Sequence, residues 1–336
     1  MASLALSSFY TVMQLFLFLS LGFIMKRFGN WEKAFFQSLS KFLVTIALPV
    51  YFITRIGKLE FSGVQQSLIF PIASIAVAAA GLFFSFLLFN TITLSKQNRN
   101  TFTALSSFGN SGYIPLALIE IFPITLPEVS NRFGVDAPLL YVGAYLLTQS
   151  PLLWTLGNIL ISGKRSQFKW NDLITPPLIG IILGLFLSFT GIYGSITAPG
   201  QPGHYIFMAM ERISDVVLPL ILISLGAMIG TIPSRKFFSK VLMAIAGRIA
   251  LIRFLLLPGL FYLCFFTIFK WLNLQPAQIF VLFLETHIPP ATNLSVMATH
   301  AGINEDTTAY IMLFTYVLYL LLLPVFLFLF MNLIAG

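Results

Sequence analysis

Two apolar stretches of the sequence, each long enough to cross a bilayer, are interrupted near the middle by prolines and polar residues. The interruptions are residues 108–115 (FGNSGYIP) and 285–293 (ETHIPPATN). A proline inside a helix removes a hydrogen-bond donor and clashes with the preceding turn, so the helix kinks or breaks there. Because unpaired backbone groups are costly in hydrocarbon, such breaks occur where protein buries them or where they line a cavity. One break in each half of a membrane protein is typical of a transporter's binding site.

The composition places the chain among polytopic membrane proteins. Its 336 residues are 58% hydrophobic and 9% charged, and the mean hydropathy is +0.92, which excludes a soluble globular or a disordered protein. The net charge of +8 does not indicate a nucleic-acid partner, because the basic residues are scattered in short loops between apolar segments. The single cysteine, Cys264, excludes an intramolecular disulfide.

Ten apolar segments have the ~20 residues, or more, that a membrane-spanning helix needs. They cover about 5–27, 34–55, 67–92, 101–122, 137–161, 175–193, 211–231, 239–268, 277–299 and 307–332. The connections are short, so no soluble domain is predicted, and the Gly- and Pro-rich stretch 194–210 is predicted to be a surface loop. The first uncharged stretch is predicted to be a span rather than a cleaved signal peptide, because no basic residue precedes Lys26.

The basic residues predict the orientation of the spans. The loops after spans 1, 3, 5 and 7 contain Lys26, Arg27, Lys33, Lys96, Arg99, Lys164, Arg165, Lys169, Arg235, Lys236 and Lys240, whereas the loops after spans 2, 4, 6 and 8 contain Arg55, Lys58, Arg132, Arg212 and Lys270. Because positive residues favour the cytoplasmic side, both termini are predicted to lie outside. A compact sequence without organelle signals predicts a bacterial inner membrane. Trp31, Trp170 and Trp271 lie near span ends, where indole rings favour the interface.

The ten spans divide into two halves of five, and an odd number per half makes the halves inverted. Pro49 and Pro219, in spans 2 and 7, lie 170 positions apart, and Pro115 and Pro290, in spans 4 and 9, lie 175 positions apart. Similar offsets favour an inverted repeat of 1–162 and 163–336. Chance is the alternative, since proline is common in transmembrane helices.

Five short patterns occur in order along these spans. They are Ala47-Leu48-Pro49, Gly109-Asn110-Ser111-Gly112 before Pro115, the segment from Leu218-Pro219 to Gly226, Pro289-Pro290-Ala291-Thr292-Asn293, and Leu323-Pro324. Their order and spacing resemble the auxin efflux carrier family of membrane transporters, which includes plant PIN-type carriers and bacterial carboxylate permeases. The resemblance covers nearly the whole chain.

This resemblance implies an all-α fold of ten transmembrane helices in two inverted five-helix repeats, like that of sodium/proton antiporters and bile-acid transporters. Spans 1, 2, 6 and 7 would form a scaffold and a homodimer interface, and spans 3–5 and 8–10 would form a moving transport domain, with spans 4 and 9 crossing at their breaks. The Asn-Pro-Asn-Thr-Tyr type signature of the plant carriers is absent. A bacterial-type permease for a small organic anion, such as a carboxylate, is therefore expected, working by alternating access without a cofactor or a metal.

The residues of the two breaks are the candidate substrate-binding residues. A broken helix exposes N–H groups at its new N-terminal end, and such ends can hold a carboxylate. Glycine lets the backbone approach a ligand, and neutral side chains bind it reversibly. The candidates are Asn110, Ser111, Gly112, Tyr113, Pro115, Pro289, Pro290, Thr292 and Asn293. The alternative is that these residues only repair the kinks or allow close helix packing.

Five ionisable residues are candidates for charge balance or ion coupling. Arg248 and Arg253 lie in span 8 about 140° apart on an ideal helix, so they face different directions. One of them either attracts the anion or forms a structural pair with Glu120 or Glu285. Glu285 or His287 could carry a coupling proton, although a lone histidine near a break is more often a hydrogen-bonded structural residue.

Other classes of protein fit the sequence less well. A sodium-coupled bile-acid-type symporter needs a dense cluster of oxygen ligands, and only Glu285, Asn110 and Asn293 are available near the breaks. An intramembrane enzyme is not expected, because there is no His-Glu-x-x-His pattern and residues 163–166 lack the glycine spacing of a phosphate loop. A non-transporting sensor on the same fold would be expected to carry a soluble output domain.

Overall fold

A computed structural model of the chain describes residues 2–59, 64–163, 174–231 and 240–335. These residues are helical apart from turns and one isolated bridge between the two breaks. The all-α membrane architecture predicted from the sequence is therefore confirmed over the described ranges. Each of the ten predicted spans coincides in position with one helix or with two helices separated by a break.

Thirteen helices in the described residues carry the fold. They are α1 Ala2–Arg27, α2 33–57, α3 Ile69–Phe89, α4 Lys96–Ser107, α5 Ile114–Thr125, α6 Pro127–Phe133, α7 136–162, α8 Pro176–Thr190, α9 Pro202–Gly230, α10 Lys240–Phe266, α11 Pro276–Thr286, α12 Asn293–Ala301 and α13 Glu305–Ala335. Single-turn helices lie at Val64–Ser67, Ile192–Ile196 and Ile268–Trp271. By length and composition, five of the described helices can each cross a membrane, and α5, α8 and α11 are shorter apolar helices.

Helices α2, α7 and α10 each contain one π-helical turn, at Leu43–Ala47, Leu153–Gly157 and Ile252–Leu256. In α2 and α10 a proline follows the π-turn after one residue. Because a proline ring clashes with the carbonyl of the preceding turn, a wider turn relieves the clash without ending the helix. The extra residue in such a turn also rotates the faces of the helix beyond it.

The four helices of the predicted scaffold pack closely through glycines. A Cβ atom at Gly22 of α1 would lie 1.9 Å from the carbonyl oxygen of Ile223, and one at Gly226 of α9 would lie 1.9 Å from that of Leu19. In α8, a Cβ at Gly180 would lie 2.5 Å from the Cα of Pro49 in α2. Small residues permit this backbone-to-backbone approach, which drives helix association in membranes.

Side-chain hydrogen bonds join the two glycine-packed pairs into one layer. Ser40 and Ser224 share a hydrogen bond of 2.7 Å, and Thr54 and Ser214 share one of 2.6 Å. Both bonds connect α2 with α9, so the four helices pack in the order α1, α9, α2, α8. The division into scaffold and transport domain stays a prediction.

Two polar contacts each connect a pair of helix ends that the sequence predicts to lie on the same side of the membrane. The Asn304 amide donates to the Thr101 hydroxyl at 3.0 Å, between two ends predicted to be cytoplasmic. The Arg132 guanidinium donates to the carbonyl of Ile334, between two ends predicted to lie outside. Several residues used to predict the orientation lie outside the described ranges: Lys164, Arg165, Lys169, Trp170, Arg235 and Lys236. Residues 164–166 of the segment compared with a phosphate loop lie outside them as well.

Helix α9 begins earlier than the sequence pattern predicts. It begins at Pro202, whereas the predicted surface loop extends to residue 210. Proline is favourable in the first turn of a helix, because the N–H that it lacks has no helical partner there, so the glycines and prolines of this stretch mark a helix start.

We expect Gly226→Ala to destabilise the folded protein, because its Cβ would meet the backbone of α1 and the two helices would have to separate. Overpacking of this kind typically costs ~1–3 kcal/mol. The measurement is the melting temperature in detergent. The control is Gly247→Ala, since nothing lies within 4 Å of a Cβ at Gly247. Equal melting temperatures for the two variants would show that α1 and α9 do not approach this closely.

Candidate functional site at the crossing of two broken helices

The two breaks pair with each other as a short antiparallel bridge between Gly109 and Pro290. The N–H of Asn110 donates to the carbonyl of Pro289 at 2.9 Å, and the N–H of Ala291 donates to the carbonyl of Phe108 at 2.9 Å. Gly109 and Pro290 thus form a non-hydrogen-bonded antiparallel pair, in which the two facing residues exchange no hydrogen bonds with each other. The N–H that Pro290 lacks is therefore not needed, and each break satisfies backbone groups of the other.

Gly109 allows the close approach at this bridge. A Cβ atom there would lie 2.2 Å from Nη2 of Arg253 and 2.9 Å from the Ile288 side chain. At Gly112, three residues on, the nearest atoms to a Cβ would be the Leu146 methyl groups at 3.8 Å, an ordinary contact distance. A side chain at position 109 would therefore displace the Arg253 guanidinium and the Ile288 side chain, whereas position 112 has room for one.

Arg253, within the π-turn of α10, lies fully buried against the crossing. Its Nε and Nη2 atoms donate to the carbonyl oxygen of Ile288 at 2.9 and 2.7 Å, and Nη1 donates to that of Ser106 at 3.4 Å. Arg248 is partly exposed and donates to the carbonyl of Ala244 in its own helix at 3.4 Å. Of the two arginines, only Arg253 faces the crossing.

The side chain of Asn110 is tied to α13. Its amide nitrogen donates to the hydroxyl oxygen of Tyr316 at 2.6 Å, and the Tyr316 hydroxyl donates to the carbonyl of Pro290 at 3.0 Å. All three residues are buried. This chain of two hydrogen bonds links the first break, the second break and α13.

Glu285, in the last turn of α11, is a buried carboxyl group with a side chain 1% exposed. Neither carboxylate oxygen has a hydrogen-bond partner among the described residues. The Ser111 hydroxyl and the Arg253 guanidinium interact with it electrostatically, and neither closes a hydrogen bond or an ion pair to it. Tyr145 of α7 and Tyr319 of α13 also interact with it.

His287 lies in an aromatic cluster next to the second break. Its Nδ1 atom is 2.7 Å from the carbonyl oxygen of Phe283. The ring centroid is 4.3 Å from that of Phe283, 4.9 Å from that of Phe326 and 5.6 Å from that of Tyr262. These contacts hold the imidazole as a packed side chain.

A cleft of about 70 Å³ opens beside the crossing. Its walls come from both breaks and from helices α2, α7 and α8. It is lined by Val44, Leu48, Phe52, Gly109, Asn110, Ser111, Gly112, Tyr113, Leu146, Gln149, Ser150, Leu153, Trp154, Pro177, Ile181, Ala291 and Asn293. The starts of α5 and α12 lie at its wall, where Tyr113 and Thr292 are the N-cap residues. Among the first N–H groups of these two helices, those of Ile114, Leu294 and Ser295 donate to the carbonyls of Asn110, Ala291 and Thr292.

Glu120 lies away from the crossing, in a polar contact between α5, α2 and α9. The Tyr51 hydroxyl donates to its carboxylate at 2.7 Å, and Arg55 Nε lies 3.2 Å from the same oxygen. Arg55 also pairs with Asp215 at 2.9 Å. The partner of Glu120 is therefore Arg55, which the sequence pattern placed in a loop, and neither Arg248 nor Arg253 pairs with it.

A family model described as a membrane transport protein matches residues 7–170 and 164–327, which together cover nearly the whole chain. The chain belongs to this family, the auxin efflux carrier family of membrane transporters. An uncharacterized transporter of Methanothermobacter thermautotrophicus is 22% identical over 322 residues, 94% of this chain and 95% of that protein. Protein PIN-LIKES 7 of Arabidopsis thaliana is 27% identical over 168 residues, 49% of this chain and 42% of the plant protein.

The structure of this carrier family member divides the predicted substrate-binding residues into two groups. Asn110, Ser111, Gly112, Tyr113 and Asn293 line the cleft. The other four, Pro115, Pro289, Pro290 and Thr292, are buried behind its wall. The prolines thus shape the breaks, whereas the polar residues next to them face the space where a ligand could bind.

Sequence reasoning missed the contribution of α7 to the cleft. Gln149, Ser150 and Trp154 line it, and the Gln149 amide oxygen has no hydrogen-bond partner among the described residues. The available signal was the Gln-Ser-Pro sequence in the middle of an otherwise apolar span. Polar residues at that depth are costly unless they bind something, so they mark a site.

We expect Gly109→Ala to disrupt the crossing of the carrier, because the new Cβ would displace the Arg253 guanidinium from its carbonyl partners. The expected result is a melting temperature well below that of the wild type, with reduced recovery of monodisperse protein. Gly259→Ala is the matched control on α10, where a Cβ has nothing within 4 Å. A Gly109→Ala protein as stable as this control would contradict the observed approach of Arg253 to the break.

Proposed function

We propose that the chain is a secondary transporter that moves a small organic anion, such as a carboxylate, by alternating access, with the substrate bound at the crossing of the two breaks. The observation that carries this proposal is the cleft at the N-terminal ends of both α5 and α12. Such ends attract anions through the partial positive charge of the helix dipole.

The strength of this attraction suits a carrier. A helix end contributes up to about 2 kcal/mol to a partly buried charge, so the two ends attract an anion without holding it irreversibly. Neutral donors on Asn110 and Asn293 would add hydrogen bonds to the bound carboxylate. Arg253 does not line the cleft, so no fixed cation from α10 would trap the substrate.

The position of the cleft is compatible with a movement of the proposed transport domain against the proposed scaffold. It lies between α2 and α8 on one side and the crossing on the other. We take spans 1, 2, 6 and 7 as the scaffold, and spans 3–5 and 8–10 as the transport domain. In the predicted orientation, the cleft residues of α7 and α8 belong to the cytoplasmic halves of these helices, so the cleft would face the cytoplasm.

The proposed architecture is a pair of inverted five-helix repeats, 1–162 and 163–336. It is supported by the similar offsets between Pro49 and Pro219 and between Pro115 and Pro290, and by the antiparallel bridge between the two breaks. A homodimer through the scaffold helices, in a bacterial inner membrane with both termini outside, completes the proposal.

Glu285 is the proposed site of a coupling proton. A buried charge without a partner is costly, and a protonated carboxyl group avoids that cost. The groups that interact with Glu285 are Arg253 of α10, Tyr145 of α7, Tyr319 of α13 and Ser111 of the first break. A change in their arrangement during transport would change how readily the carboxyl group holds a proton.

We expect purified protein in proteoliposomes to take up at least one labelled mono- or dicarboxylate with saturation. Asn293→Ala should lower this uptake roughly tenfold or more, because a hydrogen bond to a charged group contributes about 1.5–3 kcal/mol. The matched control is Asn332→Ala, since Asn332 is exposed and donates to the carbonyl of Phe328 in its own helix. The proposal is wrong if folded protein transports none of the anions, or if Asn293→Ala transports like Asn332→Ala.

We expect an inward proton gradient to accelerate uptake by the wild type but not by Glu285→Gln, because the amide cannot take up and release a proton. The measurement is the initial uptake rate with an acidic outside buffer against that with equal pH on both sides. Glu128→Gln, at an exposed position of α6, should respond like the wild type. A full response of Glu285→Gln to the gradient would exclude Glu285 as the coupling group.

A further inference from the structure

The C-terminal ends of two broken helices, α4 and α11, meet on the side of the crossing where Arg253 lies. Helix α4 ends at Ser107, and its Ser106 carbonyl accepts a hydrogen bond from Nη1 of Arg253. Helix α11 ends at Thr286, and the Ile288 carbonyl just beyond it accepts from both Nε and Nη2. One guanidinium group therefore binds carbonyl oxygens from both helix ends.

The positive charge of the Arg253 guanidinium balances the partial negative charges of the two helix ends. The C-terminal end of a helix carries a partial negative charge equivalent to about −0.5 elementary charge, so two ends together offer about −1. The guanidinium carries one positive charge and cannot be deprotonated in a protein. Backbone carbonyls at converging helix ends are the ligands that a free alkali cation would use in a membrane protein.

We propose that Arg253 is a tethered cation, which permanently fills the cation site made by the carbonyl ends of α4 and α11, so that no free sodium or potassium ion binds there. The side chain is fully buried, and Gly109 leaves the space that Nη2 occupies. It is not within ion-pair distance of Glu285 among the described residues, so its partners are the carbonyl oxygens. It also does not line the cleft, so it does not take the place of a substrate-binding arginine.

This inference goes beyond the proposed transport function, because it assigns a second site on the opposite side of the crossing and excludes sodium as the ion bound there. Its main test is a stability measurement that needs no substrate.

The test uses Arg253→Ala, which removes the guanidinium and leaves its space and its carbonyl partners. We expect the melting temperature of the detergent-solubilised variant to fall by roughly 10 °C, because the Ser106 and Ile288 carbonyls would lose the guanidinium donor and remain buried. Guanidinium chloride at millimolar concentration, far below the molar range in which it unfolds proteins, should restore at least half of the loss with saturation. Choline chloride at the same ionic strength should restore none.

Arg248→Ala is the matched control on the same helix, because within the described part of the chain the Arg248 guanidinium donates to a carbonyl of α10 itself. Its melting temperature should stay near that of the wild type and should not respond to millimolar guanidinium. The proposal is overturned if Arg253→Ala is as stable as Arg248→Ala, or if guanidinium does not raise its melting temperature more than choline does.

A second measurement avoids the risk that Arg253→Ala does not fold. The melting temperature of the wild type should be unchanged when sodium chloride is replaced by choline chloride, and the Arg253→Lys variant, which keeps the charge, should fold. A saturable stabilisation of the wild type by sodium would overturn the tethered-cation site. Failure of the transport proposal would appear separately, as absence of anion uptake by protein whose stability behaves as described.

Discussion

The structure depends on two backbone hydrogen bonds between the breaks. A chain that interrupts a helix within hydrocarbon must find partners for the freed N–H and C=O groups, because neither water nor lipid tails can supply them there. Here each break supplies the partners of the other, from Asn110 to Pro289 and from Ala291 to Phe108. With the two breaks joined in this way, the ends of four half-helices are fixed around one point.

This arrangement separates the partially positive N-terminal helix ends from the partially negative C-terminal ends. The N-terminal ends of α5 and α12 lie at the cleft, and the C-terminal ends of α4 and α11 lie beside Arg253. In the proposed function, the cleft would bind an anion on one side without a charged side chain, while Arg253 balances the opposite partial charges. The neutral side chains of the cleft are consistent with this division, because the backbone carries the electrostatic attraction.

Hydrophobic length and proline position predicted the helices and the two breaks, because these depend on local sequence and on the thickness of the bilayer. The inward-facing arginine could not be predicted, since Arg253 lies in a π-turn and the calculated angle to Arg248 assumed an ideal α-helix. Tyr316 was also missed, because its partner Asn110 is 206 positions away in the sequence. The early start of α9 was missed because its glycines and prolines are equally common in loops and in first turns.

The bridge between Gly109 and Pro290 has a consequence for how the chain is made. The two residues are 181 positions apart, so the first break enters the membrane long before its partner has been synthesised. Until then, the N–H of Asn110 and the carbonyl of Phe108 lack the partners that they have in the finished protein. Contacts of such long range form late in folding. The crossing therefore closes only after Pro290 has left the ribosome, and residues 1–162 alone cannot complete it.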